Sequence, residues 1–282
     1  MTMDRYDAKL IRDPGGLETA MIHLMPNRAD AEVFFQEKMD VTELLRYCKE
    51  HPELRMNLFS AVITALAKMV TLRPRFNRFV QGERLYQRND ITLSFVCKTS
   101  FEDDAPESLV VIKALPEDTA ATIGKRIWEE IKKKREGEVS GSDDSVNRLA
   151  KIPFALRVLA FRLLRFVDRK GADLSKLTST DPNYCSILVS NLGSIGLPAM
   201  YHHLNNYGTN SCVVTLGTLT QEEVIMPDGH KEVRDILPLG ATVDERIADG
   251  FYFAKSVKLL KTVLEQPELL FRPLSEAVEV TF

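Results

Sequence analysis

Segments with helical and with strand periodicity follow one another in clusters along this chain, and this order is what most constrains its fold. Helical patterns lie at 42–51, 58–73, 119–135 and 250–264. Strand-like runs lie at 90–97, 109–112, 185–190 and 212–216, and a hairpin turns at Asp228-Gly229. Strict alternation would favour a parallel sheet covered on both faces. The clustered order instead predicts an α+β protein, with a mixed sheet and helices packed on one side.

Local signals predict the ends and faces of several of these elements. Thr42 is a candidate N-cap of the first helix, and the pair His51-Pro52 ends that helix. In the run at 90–97 the apolar side chains fall on odd positions, which is the two-residue period of a half-buried strand. The run 109–112 is apolar throughout, which favours a strand buried on both faces.

Composition and charge exclude several classes of protein. The 282 residues are 44% hydrophobic and 27% charged, so the chain can bury a core and is not a disordered tail. A net charge of -3 argues against binding nucleic acid through its whole surface. The four cysteines form no CxxC pair, so neither a thiol-rich zinc site nor a dense disulfide framework is expected. With no apolar leader or membrane span in the sequence, we expect reduced thiols and a cytoplasmic location, with no metal.

The segment 137–175 is the least ordinary part of the sequence. Residues 137–145 are rich in Gly, Ser and acidic residues, which is typical of a linker. An apolar helix with arginines on a restricted arc (Arg157, Arg162, Arg165 and Arg169) is predicted at 151–168. Its apolar surface must be buried against the body of the protein, another subunit or a lipid interface, and the first two are favoured over membrane contact.

Three polar stretches could carry chemistry. The first, at 190–196, places two glycines directly after a buried strand, where the backbone can approach a ligand or simply make a tight turn. The second, at 201–208, contains His202 and His203. Adjacent histidines on a strand face opposite ways, so a metal site from this pair is not expected. The third, at 243–250, holds four ionisable groups at a strand-to-helix junction.

Five motifs, in this order and spacing, resemble one known family from about residue 40 to residue 265. They are DVTELL, FSAVITALAKMVTLRPRFNRFV, SILVSNLGSIG, VVTLGTL and DERIADG. The chain resembles the catalytic domain of the 2-oxoacid dehydrogenase acyltransferases, which share the fold of chloramphenicol acetyltransferase. The resemblance implies one two-layer domain over 1–282, with 1–39 as an N-terminal arm and 137–175 as a linker plus inserted helix.

The resemblance also implies a chemistry and a set of site residues. Members of the family move an acyl group between coenzyme A and an acceptor thiol or hydroxyl, and use no metal. A histidine removes the proton of the attacking group and a hydroxyl stabilises the oxyanion. Glu245 stands at the position of this histidine, and Ser190 matches the hydroxyl within one residue of register. Asp249 would hold an arginine and shape the site, and Asn191 and Gly193 would lie against the coenzyme.

Glutamate in place of histidine leaves three readings open. An unperturbed thiol has a pKa of about 8.5 and an unperturbed glutamate one of about 4.3, so proton transfer to the carboxylate is uphill by roughly 5–6 kcal/mol. Burial could retune a carboxylate as the base. His202 or His203 could replace the missing histidine. Otherwise acyl chemistry is lost, and the chain is an inactive family member that binds a ligand or forms an oligomeric scaffold.

The resemblance further implies partners. The family is built on trimers whose active sites lie between subunits, so we expect a homotrimer or a multiple of it. A lipoyl-type or other acyl-carrying thiol is a possible partner, although the sequence shows no lipoyl domain, subunit-binding domain or Ala/Pro-rich linker before residue 40. Nucleic acid and membrane surfaces are not expected partners.

Overall fold

A seven-stranded mixed sheet forms the centre of the computed structural model, which describes residues 4–98, 107–136 and 152–280. Six strands follow the order β2-β10-β8-β7-β5-β6, and β9 pairs with β10. The strands are β2 (Glu32–Asp40), β5 (Ile91–Lys98), β6 (Glu107–Ala114), β7 (Ile187–Asn191), β8 (Cys212–Leu216), β9 (Thr220–Ile225) and β10 (Lys231–Asp244). Two pairings, β5 with β7 and β7 with β8, are parallel, and the others are antiparallel.

A second, three-stranded antiparallel sheet has the order β1-β4-β3. Its strands are β1 (Ala8–Leu10), β3 (Arg78–Gln81) and β4 (Arg84–Arg88). The segment 1–39, expected as an N-terminal arm, thus supplies β1 to this small sheet and most of β2 to the edge of the large one. The short apolar and polar runs of β1, β3 and β4 gave no clear period in the sequence, which is why this sheet was not predicted.

The helices confirm the predicted α+β class. They are α1 (Gly16–Leu24), α2 (Thr42–Glu50), α3 (Leu58–Leu72), α4 (Ala120–Arg135), α5 (Phe154–Arg169), α6 (Ser175–Thr178) and α7 (Gly250–Glu265). Helix α3 lies between α4 and α7, and the three pack against β5, β6 and β2 of the large sheet. Within the described ranges, no helix is long and apolar enough to span a bilayer.

Helix α3 is buried all round rather than on one face. Every residue of the stretch 60–70 is buried, including Lys68, whose Nζ donates to the carbonyl of Pro273 at 2.7 Å. Its first turn is closed by a capping box, in which Asn57 and Ser60 each accept a hydrogen bond from the other's backbone N–H. This helix therefore forms the centre of the core between the two helices beside it.

Two local expectations are wrong. Helix α2 has Val41 as its N-cap, and the Thr42 hydroxyl instead accepts from the backbone N–H of Asp235, so it ties the helix to β10. Strand β6 is the edge of the sheet and is half-buried, because Val110 and Ile112 face the core while Lys113 is exposed. An apolar run of four residues cannot distinguish an edge strand from a central one, because it is too short to show an alternation of buried and exposed positions.

Helix α5 exposes the apolar surface that the sequence predicts to be buried. Its large exposed side chains are Phe154 (73% exposed), Leu156 (57%), Leu159 (62%), Leu163 (59%) and Phe166 (59%). Packing of this face against the body of the same chain is therefore wrong, and packing against another subunit stays a prediction. The linker expected at 137–145 lies outside the described residues.

The loop before α4 is held by one buried carboxylate. Both oxygens of Asp118 bind Arg126 at 2.8 and 3.0 Å, and they also accept from the Leu115 N–H and the Thr122 hydroxyl. Burial acts to raise the pKa of Asp118, but these hydrogen bonds outweigh it, so its pKa lies below the ordinary value. A carboxyl with a lowered pKa stabilises the fold above its unfolded pKa of about 3.9 and loses that effect as the pH falls through its folded pKa.

We expect Asp118→Asn to lower the free energy of unfolding at pH 7 by about 1.5–3 kcal/mol, because the bonds to a charged acceptor are lost. Urea unfolding between pH 7 and pH 3 should show this difference narrowing below about pH 4. The matched control is Asp90→Asn, which breaks an exposed pair with Lys113 and should cost less than about 1 kcal/mol. Equal losses for the two variants, or a difference that widens in acid, would contradict the prediction.

Candidate active site

The strand-to-helix junction at 244–250 is a short turn between two long elements. Strand β10 ends at Asp244, a single 3-10 turn covers Glu245–Ile247, and α7 begins at Gly250. Asp249 is the N-cap of α7, with its Oδ1 accepting from the Tyr252 N–H at 2.7 Å, and its other oxygen lies 3.8 Å from Arg75. Both Asp249 and Arg75 are exposed, so this aspartate acts chiefly as a helix cap.

A buried ion pair holds this junction in place from the interior of the protein. The carboxylate of Asp244 is 0% exposed and accepts two hydrogen bonds from the Arg246 guanidinium, at 2.8 and 2.6 Å. A second guanidinium, that of Arg28, places its Nε 3.8 Å from the same carboxylate. Burial lowers the pKa of Arg28 to about 10, although Asp244 opposes that effect. Glu245 lies between the two residues of this pair and is half-buried.

Sequence reasoning did not identify Asp244, Arg28 or Arg246 as structural residues. The signal for two of them was present, because Asp244 and Arg246 flank Glu245 directly after the apolar second half of β10. Two opposite charges in that position can be buried only if they form an ion pair. Arg28 carries no such signal, since its partner is more than 200 residues away in the chain.

Ser190 lies at the carboxyl end of the central parallel strands. It is the fourth residue of β7, pairs in register with Thr215 of β8, and is half-buried. Asn191 follows it and begins the turn 192–195, which is closed by a hydrogen bond from the Ser194 hydroxyl to the Asn191 carbonyl at 2.7 Å. These positions place a hydroxyl and an amide at the same edge of the sheet.

Gly193 is required by close packing inside the chain. A Cβ on this residue would overlap the carbonyl group of Gly217, which follows strand β8. The absence of a side chain is thus explained by backbone contact between the two turns, in agreement with the tight turn that the sequence allows. A contact between Gly193 and a coenzyme stays a prediction.

The fold does not bring Glu245 and Ser190 together within one chain. Ser190 pairs with Thr215, and Thr215 pairs with Gly240 of β10, so these three residues form one row across the sheet. Asp244 lies four residues beyond Gly240, which at about 3.3 Å per residue is roughly 13 Å further along β10. Since that strand is also two strands away from β7, the separation is on the order of 15 Å. The two residues mark opposite ends of the central strands.

His202 and His203 lie in a loop rather than on a strand. Their rings are stacked with centroids 4.8 Å apart and are both exposed, so the expectation that they face opposite ways is wrong. The loop runs along the sheet, because Met200 accepts a hydrogen bond from Thr215 while Leu204 donates one to Glu32, the register partner of Asp244. The histidines therefore lie between the Ser190 end and the Glu245 end. Within the described ranges, no group of three or more His, Cys, Asp or Glu side chains is arranged to hold a metal ion.

Comparison with known proteins supports the resemblance that the sequence predicts. Residues 168–272 match the family described as 2-oxoacid dehydrogenases acyltransferase (catalytic domain). The lipoamide acyltransferase component of the Bacillus subtilis branched-chain alpha-keto acid dehydrogenase complex is 23% identical over 235 residues, which is 81% of this chain and 45% of that protein. The dihydrolipoyllysine-residue acetyltransferase component of the Mycoplasma capricolum pyruvate dehydrogenase complex is 32% identical over 96 residues, 34% of this chain and 21% of that protein. The chain thus spans less than half the length of either relative.

Solved structures show the same fold. A dihydrolipoamide acetyltransferase from Azotobacter vinelandii superposes with a TM-score of 0.62 at 16% identity, over 93% of this chain and 94% of that one. A probable dihydrolipoamide acetyltransferase from Listeria monocytogenes gives 0.61 at 19% identity, over 90% and 93%. A chloramphenicol acetyltransferase gives 0.53 at 12% identity, over 93% and 99%. The resemblance to the acyltransferase family and the predicted chloramphenicol acetyltransferase-like fold are confirmed.

Gly193→Ala should lower the free energy of unfolding by about 1–3 kcal/mol, because the new methyl group forces the turns at 193 and 217 apart. Gly124→Ala is the matched control. Gly124 lies within α4, and no atom comes within 4 Å of where its Cβ would lie, so alanine there should stabilise the helix by about 0.5–1 kcal/mol. Urea unfolding of both variants tests the packing, and a neutral Gly193→Ala would contradict it.

Proposed function

We propose that this chain, whose residues 168–272 match the acyltransferase catalytic domain, transfers an acyl group between a coenzyme A thioester and an acceptor thiol or hydroxyl. The observation that carries the proposal is that the matched segment contains both Ser190 and Glu245. The resemblance implies that Ser190 lies within one residue of the family's hydroxyl and that Glu245 stands at the position of its base. The relatives named above are acyltransferase components of 2-oxoacid dehydrogenase complexes, which supports the reaction class.

The proposed reaction assigns one role to each of these two residues. The sulfur of the acceptor thiol attacks the thioester carbonyl, and Glu245 accepts the proton that this thiol loses. The hydroxyl of Ser190 donates a hydrogen bond to the oxyanion that forms on the carbonyl oxygen. When the carbon–sulfur bond to coenzyme A breaks, the proton passes from Glu245 to the leaving thiolate. Asp249 keeps α7 and the preceding turn in place through its cap.

The separation of Glu245 and Ser190 supports a site shared by two chains. A base and an oxyanion donor must both lie within hydrogen-bond reach of the reacting groups, and on the order of 15 Å is too far. A second copy that places its Ser190 end against the Glu245 end of the first would complete the site. This geometry agrees with the homotrimer, or multiple of it, that the resemblance implies, and one relative of known structure is the cubic core of a pyruvate dehydrogenase multienzyme complex.

An exposed aromatic pair marks a surface suited to such self-association. Phe34, on the edge strand β2, and Tyr201, on the loop beside it, are each 48% exposed, with ring centroids 5.3 Å apart. Met200 is 45% exposed next to them. Apolar and aromatic side chains grouped at a sheet edge are typical of interfaces between subunits.

We expect light scattering at micromolar concentration to give a mass of three times 31.9 kDa, or a multiple of that value. Phe34→Asp should shift the mass towards the single chain, because it places a charge in the apolar contact. Trp128→Asp is the control, since Trp128 is 64% exposed on α4, which packs on β6 at the opposite edge of the sheet. A parent protein of 31.9 kDa would overturn the shared-site proposal.

Glu245→Gln should lower the rate of acyl transfer from acetyl-coenzyme A by about 10²–10⁴-fold, because an amide cannot accept the thiol proton. Glu223→Gln removes an exposed carboxylate that pairs with Lys231 and should leave the rate unchanged. Circular dichroism of both variants checks that the fold is intact. An unchanged rate in Glu245→Gln would remove Glu245 from the reaction.

Glu245→His separates the remaining alternatives. Imidazole has a pKa of about 6.5 and is better matched to a thiol at neutral pH, so a higher rate in this variant would show an intact acyl channel with a poor base. A lower rate on the same substrate supports Glu245 as the base. If the parent and both variants are inactive and none binds coenzyme A at millimolar concentration, acyl transfer fails and the inactive scaffold is the better account.

A further inference from the structure

A polar cleft of about 500 Å³ opens beside the junction that carries Glu245. Its walls come from the segment 26–28, the hairpin between β3 and β4, the C-terminal end of α5, and the turn after β10. The cleft is large enough for a small organic molecule, since ligand sites commonly measure about 300–1,000 Å³. It does not include Ser190, Asn191 or Gly193 among its lining residues.

Positive charge dominates this cleft. Five of its lining side chains are cationic: Arg28, Arg84, Arg169, Lys170 and Arg246. Among the described residues that line it, Glu83 is the one carboxylate, and the buried carboxylate of Asp244 lies behind Arg28 and Arg246. Three positive charges therefore remain unbalanced in a chain whose net charge is -3.

Arg28 is the strongest evidence that the positive charge of the cleft is part of the folded structure. Its side chain is only 3% exposed, and its two terminal nitrogens donate to the carbonyls of Asn205 and Val80. Its Nε is buried without a hydrogen-bond partner, and the nearest carboxylate oxygen, on Asp244, is 3.8 Å away. Both oxygens of Asp244 already accept hydrogen bonds from Arg246, so one buried carboxylate is the counter-ion of two buried guanidiniums. Burying such a charge is costly unless something else compensates it.

The rim of the cleft supplies cations that can reach a ligand directly. Arg84, Arg169 and Lys170 are exposed. The last turn of α5 is held in place because the buried Asp168 accepts hydrogen bonds from Arg5 and Gln81. The backbone of this turn also approaches the hairpin closely, with the carbonyl of Arg169 only 3.2 Å from where a Cβ on Gly82 would lie. The backbone that carries Arg169 and Lys170 is therefore held in place.

We propose that this cleft binds the phosphate groups of a small organic phosphate. Guanidinium groups bind phosphate oxygens in a two-pronged geometry, and a dianion or trianion matches the excess of positive charge. The volume exceeds that of a lone phosphate, and the exposed ring of Phe166 offers an apolar wall for the organic part. The proposal does not rest on acyl transfer, because the charges and the volume stand whether or not Glu245 is a base.

Isothermal titration calorimetry on the full chain tests the proposal with two probes, inorganic pyrophosphate and adenosine 3′,5′-bisphosphate, a fragment of coenzyme A that carries two of its three phosphates. We expect both to bind, with affinity falling as salt is raised. Arg169→Gln should weaken binding about tenfold or more, because a charge-assisted contact is lost. Arg162→Gln is the matched control: it removes the same charge from the exposed face of the same helix, two turns away, outside the cleft.

Each result decides one point. Binding of both probes, weakened by Arg169→Gln and not by Arg162→Gln, supports a general phosphate site. Binding of the adenosine probe alone, with the same variant pattern, supports the site and assigns it to the phosphate end of the acyl donor. No heat of binding at millimolar probe, or equal weakening by the two variants, overturns the proposal. The acyl-transfer assay of Glu245→Gln tests the catalytic proposal separately. Failure of the phosphate-site proposal therefore does not imply failure of the acyl-transfer proposal.

Discussion

The buried ion pair between Asp244 and Arg246 is the interaction on which the candidate site depends. The carboxylate of Asp244 lies at its centre. It joins the end of β10 to the turn before α7 through Arg246, and it faces Arg28 from the N-terminal segment. Removing one partner of such a buried pair typically costs about 3–5 kcal/mol, because the other charge is left uncompensated. The end of β10 with the turn that follows it, and the N-terminal segment more than 200 residues away in sequence, thus meet at one carboxylate.

This arrangement holds the junction in place without help from the side chain of Glu245. The backbone of the turn is held by Asp244, Arg246 and the N-cap Asp249. Glu245 makes none of these contacts as a donor or cap, so its side chain can be exchanged without loss of the scaffold. Variants of Glu245 should therefore report on chemistry rather than on folding.

Most of the large sheet and its helices were predictable because their segments show a period or an unbroken apolar run. Helices α3, α4 and α7 and strand β5 span eight residues or more each, and their apolar spacing identified them. Strands β7 and β8 have five residues each and were identified by unbroken apolar runs, whereas β1, β3 and β4, three to five residues long, show neither a period nor such a run. The roles of Ser190 and Glu245 stay predictions, and their separation could not be predicted from the sequence because register across two strands is set by tertiary pairing. Arg28 was missed because its partner Asp244 is distant in sequence.

The cleft and the candidate acyl site share the turn after β10, and the described residues show this turn in a single arrangement. Coupling between two sites requires an element with two arrangements whose balance both ligands shift. Arg246 lines the cleft and Glu245 precedes it, but the turn between them is held by a buried, doubly hydrogen-bonded ion pair. We therefore expect this turn to keep its position when a phosphate enters the cleft.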